Sequence, residues 1–376
     1  MKVQITIFCV LTVAALSLFQ LVSQQTPLSA APDEGTESRK TETRRKIRIE
    51  RSQAKPIRSP RSSEMEPRNP PASILLKQIQ QEATRAKLPE LNLFAIDVTS
   101  GEVILVSHEP DKNLSYCGTP RWAMGGNQIV FDATPGRNWT ETRLMTIRQS
   151  NTGVETIDLG AGNCPTLSPD GEQLAFHLNG GAVPGAASGI WIMDADGLNR
   201  RRLGGFGIPL FSPSGKKLLV SSFSSRRQLS LLDPQTGKST RIEVPGYKIY
   251  SQTSWGSDDE TLVAVVVSKQ GTGIAMLDIS HPNNATVRQV LWRRGDQFDV
   301  DPGCPVYSEK TGTCVFTGRT PEGTALYAIN LTKLGPPRRL EPGQQDQKLL
   351  SLSMSPDGRF VLFCSDRPSD RPVEED

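Results

Sequence analysis

Three histidines, His108, His177 and His281, supply all the imidazole in the chain, and no two stand at a spacing that pairs them on a metal. No Gly-x-Ser-x-Gly elbow is present either, so acyl transfer lacks its usual nucleophile. Of the three, only His177 falls where a site is expected, and its plainest reading is a structural histidine satisfied by protein partners. Asp296, Asp299 and Asp301 put three carboxylates into six residues, enough oxygen to begin a calcium site. They lack the Gly and terminal Glu of an EF-hand loop, which favours a solvated acidic loop over a metal centre. No catalytic residue, metal or other cofactor is expected.

A second set of residues suits binding. Arg137, Arg226, Arg227, Lys269, Arg319 and Arg367 place a cation on five of six irregular connections, an arrangement that suits an anionic ligand or an acidic protein segment. Their competing reading is structural, as parts of a repeat. Trp139 and Trp292 fall in connections as well, where each either anchors a partner or covers a seam between structural units.

The elements that would position these residues follow from one phrase. In "LSPDGEQLAF", from Leu167 to Phe176, Ser168-Pro169-Asp170-Gly171 reads as a tight turn and Gln173-Leu174-Ala175-Phe176 as an apolar strand. The phrase recurs at Phe211, Trp255, Tyr307 and Met354, with a degenerate first copy at Trp122. Successive anchors lie 45, 44, 44, 52 and 47 residues apart, a period that belongs to propeller blades. A second hairpin follows within each unit, as in "IWIMDADGLNRRRL" and "LSLLDPQTGKSTRI", giving four antiparallel strands, A to D.

One unit is divided between the ends of the repeat region. "LNLFAIDVTSGEVILVS", residues 91 to 107, holds a C–D hairpin, and "LSMSPDGRFVLFCSD" holds the matching A–B hairpin. Together they close a ring of six blades, which removes the free sheet edges that otherwise aggregate.

"SPDGEQLAF … GIWIMDADGLNRRRL" resembles the repeat of TolB-type propellers, most closely in the units that begin at Leu167, Phe211 and Met354, and the match covers roughly residues 90 to 367. The resemblance implies an all-β, six-bladed propeller of four-stranded antiparallel blades. It does not extend to the α/β domain that precedes the propeller in TolB, because the segment here is too short and too polar for one. No α/β-hydrolase domain is expected after the propeller, unlike in the prolyl oligopeptidases.

The N-terminal part reads differently. Residues 5 to 22, "ITIFCVLTVAALSLFQLV", are an uncharged apolar run after Lys2 and read as an export signal or an uncleaved signal anchor, within residues 1–31. Residues 32–72 are polar and Arg-rich, a disordered linker whose cations could touch anionic polymer or lipid. Residues 73–88 carry Ile74, Leu75, Ile79 and Ala83 at helical spacing and predict a short helix docked on the ring, which occupies 89–376. Membrane contact is expected only through the N-terminal segment, and the chain is expected in the periplasm, either released or anchored to the inner membrane by residues 5–22.

Composition sets the remaining bounds. Among 376 residues a formal net charge of +3 gives no global field for nucleic acid, and none is expected as a partner. Five cysteines follow Cys9, and they are expected mostly buried and reduced, with Cys164 and Cys304 in the same register of opposite blades. The reading is a non-enzymatic binding platform of the cell envelope that engages a protein or peptide through the irregular connections. Its alternative is a carbohydrate-binding or carbohydrate-active propeller that takes an acidic glycan at the channel mouth.

Overall fold

A computed structural model describes residues 71–82, 91–107, 116–136, 138–150, 153–223, 228–295, 301–321, 323–331, 335–341 and 349–366. The expected signal segment and residues 32–70 of the expected basic linker lie outside them, as do residues 83–88 of the expected helix and Arg137, Arg226, Arg227, Arg367, Asp296 and Asp299.

The described strands form six four-stranded antiparallel sheets. Each sheet's first strand packs beside the first strands of neighbouring sheets, so the A strands form the inner wall of the ring. These inner strands are Tyr116–Trp122, Asn163–Leu167, Ile208–Phe211, Lys248–Trp255, Asp301–Ser308 and Leu349–Met354, in blades 1 to 6. Blade 6 is the divided one: its B strand, Phe360–Ser365, pairs in antiparallel register with Asn92–Asp97, matching Phe363 to Phe94 and Cys364 to Leu93.

The repeated turn works as its residues dictate. Gly171 N–H donates to Ser168 O at 2.9 Å with Gly171 at φ +75°, a conformation that only glycine adopts cheaply. The Ser168 hydroxyl donates to Asp170 Oδ1 at 2.5 Å and accepts from Gln173 N at 2.9 Å, so the turn is tied to the strand that leaves it. A–B and C–D turns therefore share one face of the ring, here the tight-turn face, and B–C and D–A connections share the opposite, loop face.

Among the described residues the six sheets share no ladder, and side chains stitch neighbouring inner strands. Thr166 Oγ1 accepts from Phe211 N at 3.4 Å, and Ser353 Oγ accepts from Trp122 N at 3.2 Å. Trp255 Nε1 donates to Leu210 O at 3.1 Å across the next seam. Apolar packing covers the same seams: Trp292 of blade 4 stacks on Phe316 of blade 5 with ring centroids 5.6 Å apart, and Phe316 stacks in turn on Tyr327.

The helix α1 spans Pro71–Glu82 and starts two residues before the expected 73, because proline is well suited to the first helical turn. Its buried stripe is Ala72, Leu75, Leu76 and Ile79, whereas Ile74, expected on the apolar face, is exposed. The stripe packs into one core shared by blade 6 (Leu93, Ile104, Leu362) and blade 1 (Ile129, Phe131, Ile147). The helix thus lies across the seam at which the two ends of the ring meet. Its first turn sits at the tight-turn face, where Ala72 N approaches Gly126 and the Ser73 hydroxyl meets Arg359 Nη1 at 3.4 Å.

Candidate functional site

On the loop face, the blade 1 B–C connection forms a short 3-10 turn over Trp139–Glu141, capped by Asn138, whose Oδ1 accepts from Thr140 N at 3.2 Å. The turn holds Trp139 outward, 40% exposed, beside Tyr116 at the start of the inner strand, with ring centroids 6.5 Å apart. Asn179 of blade 2 donates to Trp139 O at 2.8 Å and fixes the turn from the neighbouring blade. The second connection tryptophan behaves differently. Trp292 lies inside strand Thr286–Arg293, is buried, and covers the blade 4–5 seam, so it is no anchor for a partner.

A second aromatic group stands over blades 2 and 3. Phe206, in the D–A connection and 45% exposed, meets Phe223 edge-on at 5.3 Å, and both rings meet His177 edge-on at 4.8 and 5.1 Å. His177 is fully buried, and neither ring nitrogen has a hydrogen-bond partner. The expected satisfied histidine is therefore packed by aromatic edges but not hydrogen-bonded. Burial pushes its pKa down to about 4. Its cross-strand partner Asn163 likewise has a buried Oδ1 without a donor.

The expected cations are only partly described. Arg319 and Lys269 are both exposed. Arg319 belongs to strand Thr313–Thr320 rather than to a loop, because the B–C connections of blades 4 and 5 are two-residue turns between long strands. Asp301 opens the inner strand of blade 5 opposite Arg319. No group of three metal-ligating side chains occurs among the described residues.

The channel wall holds what the sequence reading missed. Thr119, Cys164, Cys304 and Ser351 have φ of +37°, +51°, +42° and +55°, all at bulges in the inner strands of blades 1, 2, 5 and 6. Left-handed backbone at four non-glycine residues is strain that the surrounding packing must hold. Asp132 helps to hold it: its Oδ2 accepts from Cys164 N at 2.6 Å and from the Thr119 hydroxyl. Gly118 leaves room for that carboxylate, since a Cβ there would stand 2.5 Å from Asp132 Oδ1. Burial raises the Asp132 pKa against these hydrogen bonds.

Arg121 lies in the same wall and is 9% exposed. Its Nη1 donates to Pro120 O and to Leu352 O, both at 3.0 Å. The register places Arg121, Thr166, Leu210, Ser254, Val306 and Ser353 at one equivalent position around the ring, and only the first is charged. Lining up those six positions in the sequence was the signal that could have found it.

The five described cysteines form no disulfide, and four are buried while Cys304 is half-buried. Burial pushes the Cys314 thiol up to about 12 and raises those of Cys164 and Cys364, which keeps them protonated and poor as nucleophiles.

No protein-family model matches the chain, and no curated protein matches it. Solved structures do. TolB from Acinetobacter baumannii is 17% identical over 75% of this chain, with a TM-score of 0.45. The match takes in 64% of the TolB chain, so this protein spans less than two thirds of that relative. The β-propeller domain of the trilobed protease from Pyrococcus furiosus is 13% identical over 70% of this chain and 99% of its own, with a TM-score of 0.44. An oligogalacturonate lyase in complex with manganese is 17% identical over 64% of this chain and 73% of its own, with a TM-score of 0.42.

Proposed function

We propose that the protein is a non-enzymatic binding platform of the cell envelope, exported to the periplasm, that holds a protein or peptide segment on its loop face. The observation that carries this reading is the placement of its exposed aromatic side chains. Trp139 and Phe206 are its two strongly exposed aromatics, among the described residues, and both stand on that face. Rigid aromatic rings that are held from behind make good anchors for a partner. Trp139 is braced by Tyr116 and Asn179, and Phe206 by Phe223 and His177. Exposed Arg319 and Lys269 add positive charge, which favours an acidic segment.

Selection of displayed peptides on the immobilised full chain tests this reading. Enriched peptides are expected to lose about tenfold or more in affinity with Trp139→Ala or Phe206→Ala. Met124→Ala and Leu198→Ala, exposed positions on the tight-turn face, should leave affinity unchanged. Enrichment of peptides indifferent to both loop-face substitutions contradicts the reading.

A further inference from the structure

The Arg121 guanidinium is a desolvated cation without a bonded counter-ion. Among the described residues no carboxylate stands within ion-pair range of it, and Asp132 is felt only through space. Only Nη1 is engaged, by two carbonyls, which leaves Nε and Nη2 without an acceptor among the described residues. Neither of these atoms is among the sealed, unsatisfied groups, so both have some access to solvent. A buried charge in this state is costly unless an anion completes it.

Position within the ring defines how an anion reaches it. Arg121 stands near the tight-turn end of its strand, yet the atoms around its guanidinium lie nearer the loop face. The two carbonyls belong to the residues at 120 and at the matching position 352. The thiols within electrostatic reach are Cys164 and Cys304, at the bulge one level higher, and Cys364 beside them. The side chain therefore runs back toward the loop face, with its aliphatic stem below and its free donors above. Leu352 belongs to the inner strand of blade 6, so the guanidinium of a blade 1 residue reaches across to the inner wall of its neighbour. A planar pair of donors matches the two oxygens of a carboxylate, and an extended peptide carries one at its end.

We propose that the channel at Arg121 is a carboxylate site, entered from the loop face, that takes the C-terminal carboxylate of a bound peptide. The proposal rests on the platform reading for its peptide but on Arg121 for its chemistry.

The test uses the full chain and a probe without side chains, N-acetyl-glycyl-glycine, with its C-terminal amide as control. Arginine Nε–H resonances are followed by 15N-edited NMR, with that of Arg121 assigned from Arg121→Lys. The acid is expected to shift the Arg121 resonance saturably, and the amide to bind about tenfold or more weakly. Binding of the acid, followed by calorimetry, should be lost in Arg121→Met. If that variant does not fold, the comparison of acid and amide on the wild type decides alone. Equal responses to acid and amide overturn the proposal. A response to galacturonate in place of the dipeptide overturns the peptide assignment in favour of an acidic glycan. In the Trp139→Ala, Phe206→Ala protein the dipeptide response should persist, so a failed rim and a failed channel site are told apart.

Discussion

At the scale of the residue, His177 makes the sharpest claim. Its ring is buried without a hydrogen-bond partner, and its pKa is pushed down to about 4 by desolvation. The unfolded chain takes up this proton near pH 6.5, whereas the folded protein resists it. Stability contributed by the neutral ring is thus complete above pH 6.5 and is lost as pH falls towards 4. The loss amounts to roughly 3 kcal/mol at the lower end. His177→Leu should remove this part of the acid sensitivity, as measured by urea unfolding at pH 7 and pH 4.5. Equal pH dependence in the variant and the wild type would show that the ring is solvated. Sequence alone placed His177 correctly at the end of a strand on the loop face, but the rings of Phe206 and Phe223 come from two other connections. Their meeting was invisible to periodicity. Arg121 was missed for another reason: its position in the repeat reads as an ordinary strand residue, and only the ring makes it central.

At the scale of the element, α1 acts as a clasp. Blades 1 and 6 touch where the two ends of the repeat meet, and the helix buries Leu75, Leu76 and Ile79 into their common core. Leu76→Ala should cost about 2 to 5 kcal/mol, the range for a fully buried leucine. Ile74→Ala, on the exposed side, should stay within roughly 0.5 kcal/mol. Both are read from denaturant midpoints, and similar values for the two would mean that the helix does not pack on the seam. A second contact holds the divided blade itself: Arg359 Nε donates to the buried Asp97 carboxylate at 2.8 Å, joining the A–B turn to the C–D turn. Turn chemistry was the most legible feature of the sequence, because Ser-Pro-Asp-Gly fixes its geometry locally. The B–C connections were the least legible. Those of blades 4 and 5 were expected as loops, but strands rich in β-branched residues, such as Thr261–Ser268, extend almost to the turn.

At the scale of the whole molecule, closure couples every seam to the others. Removing residues 349–376 would strip the A and B strands of blade 6, leaving Asn92–Asp97 without its partner strand and two inner strands without a neighbour. The truncated chain is expected to lose its cooperative thermal transition and to aggregate, as followed by calorimetry and light scattering. A sharp transition near that of the intact chain would show that blade 6 is dispensable. The composite blade was readable in the sequence because each half kept a complete hairpin of its own. The polarity of the ring was not readable. The first turn of α1 lies at the tight-turn face of the ring.

The central claim is that partners meet the loop face, and photocrosslinking from both faces tests it most directly. A photoreactive residue is placed at 139 or 206 on one face, and at 124 or 198 on the other, in the full chain produced in its native host. The account predicts discrete protein adducts from 139 and 206 and none from 124 and 198. Adducts confined to 124 and 198, or polysaccharide adducts in place of protein at the loop face, would contradict it.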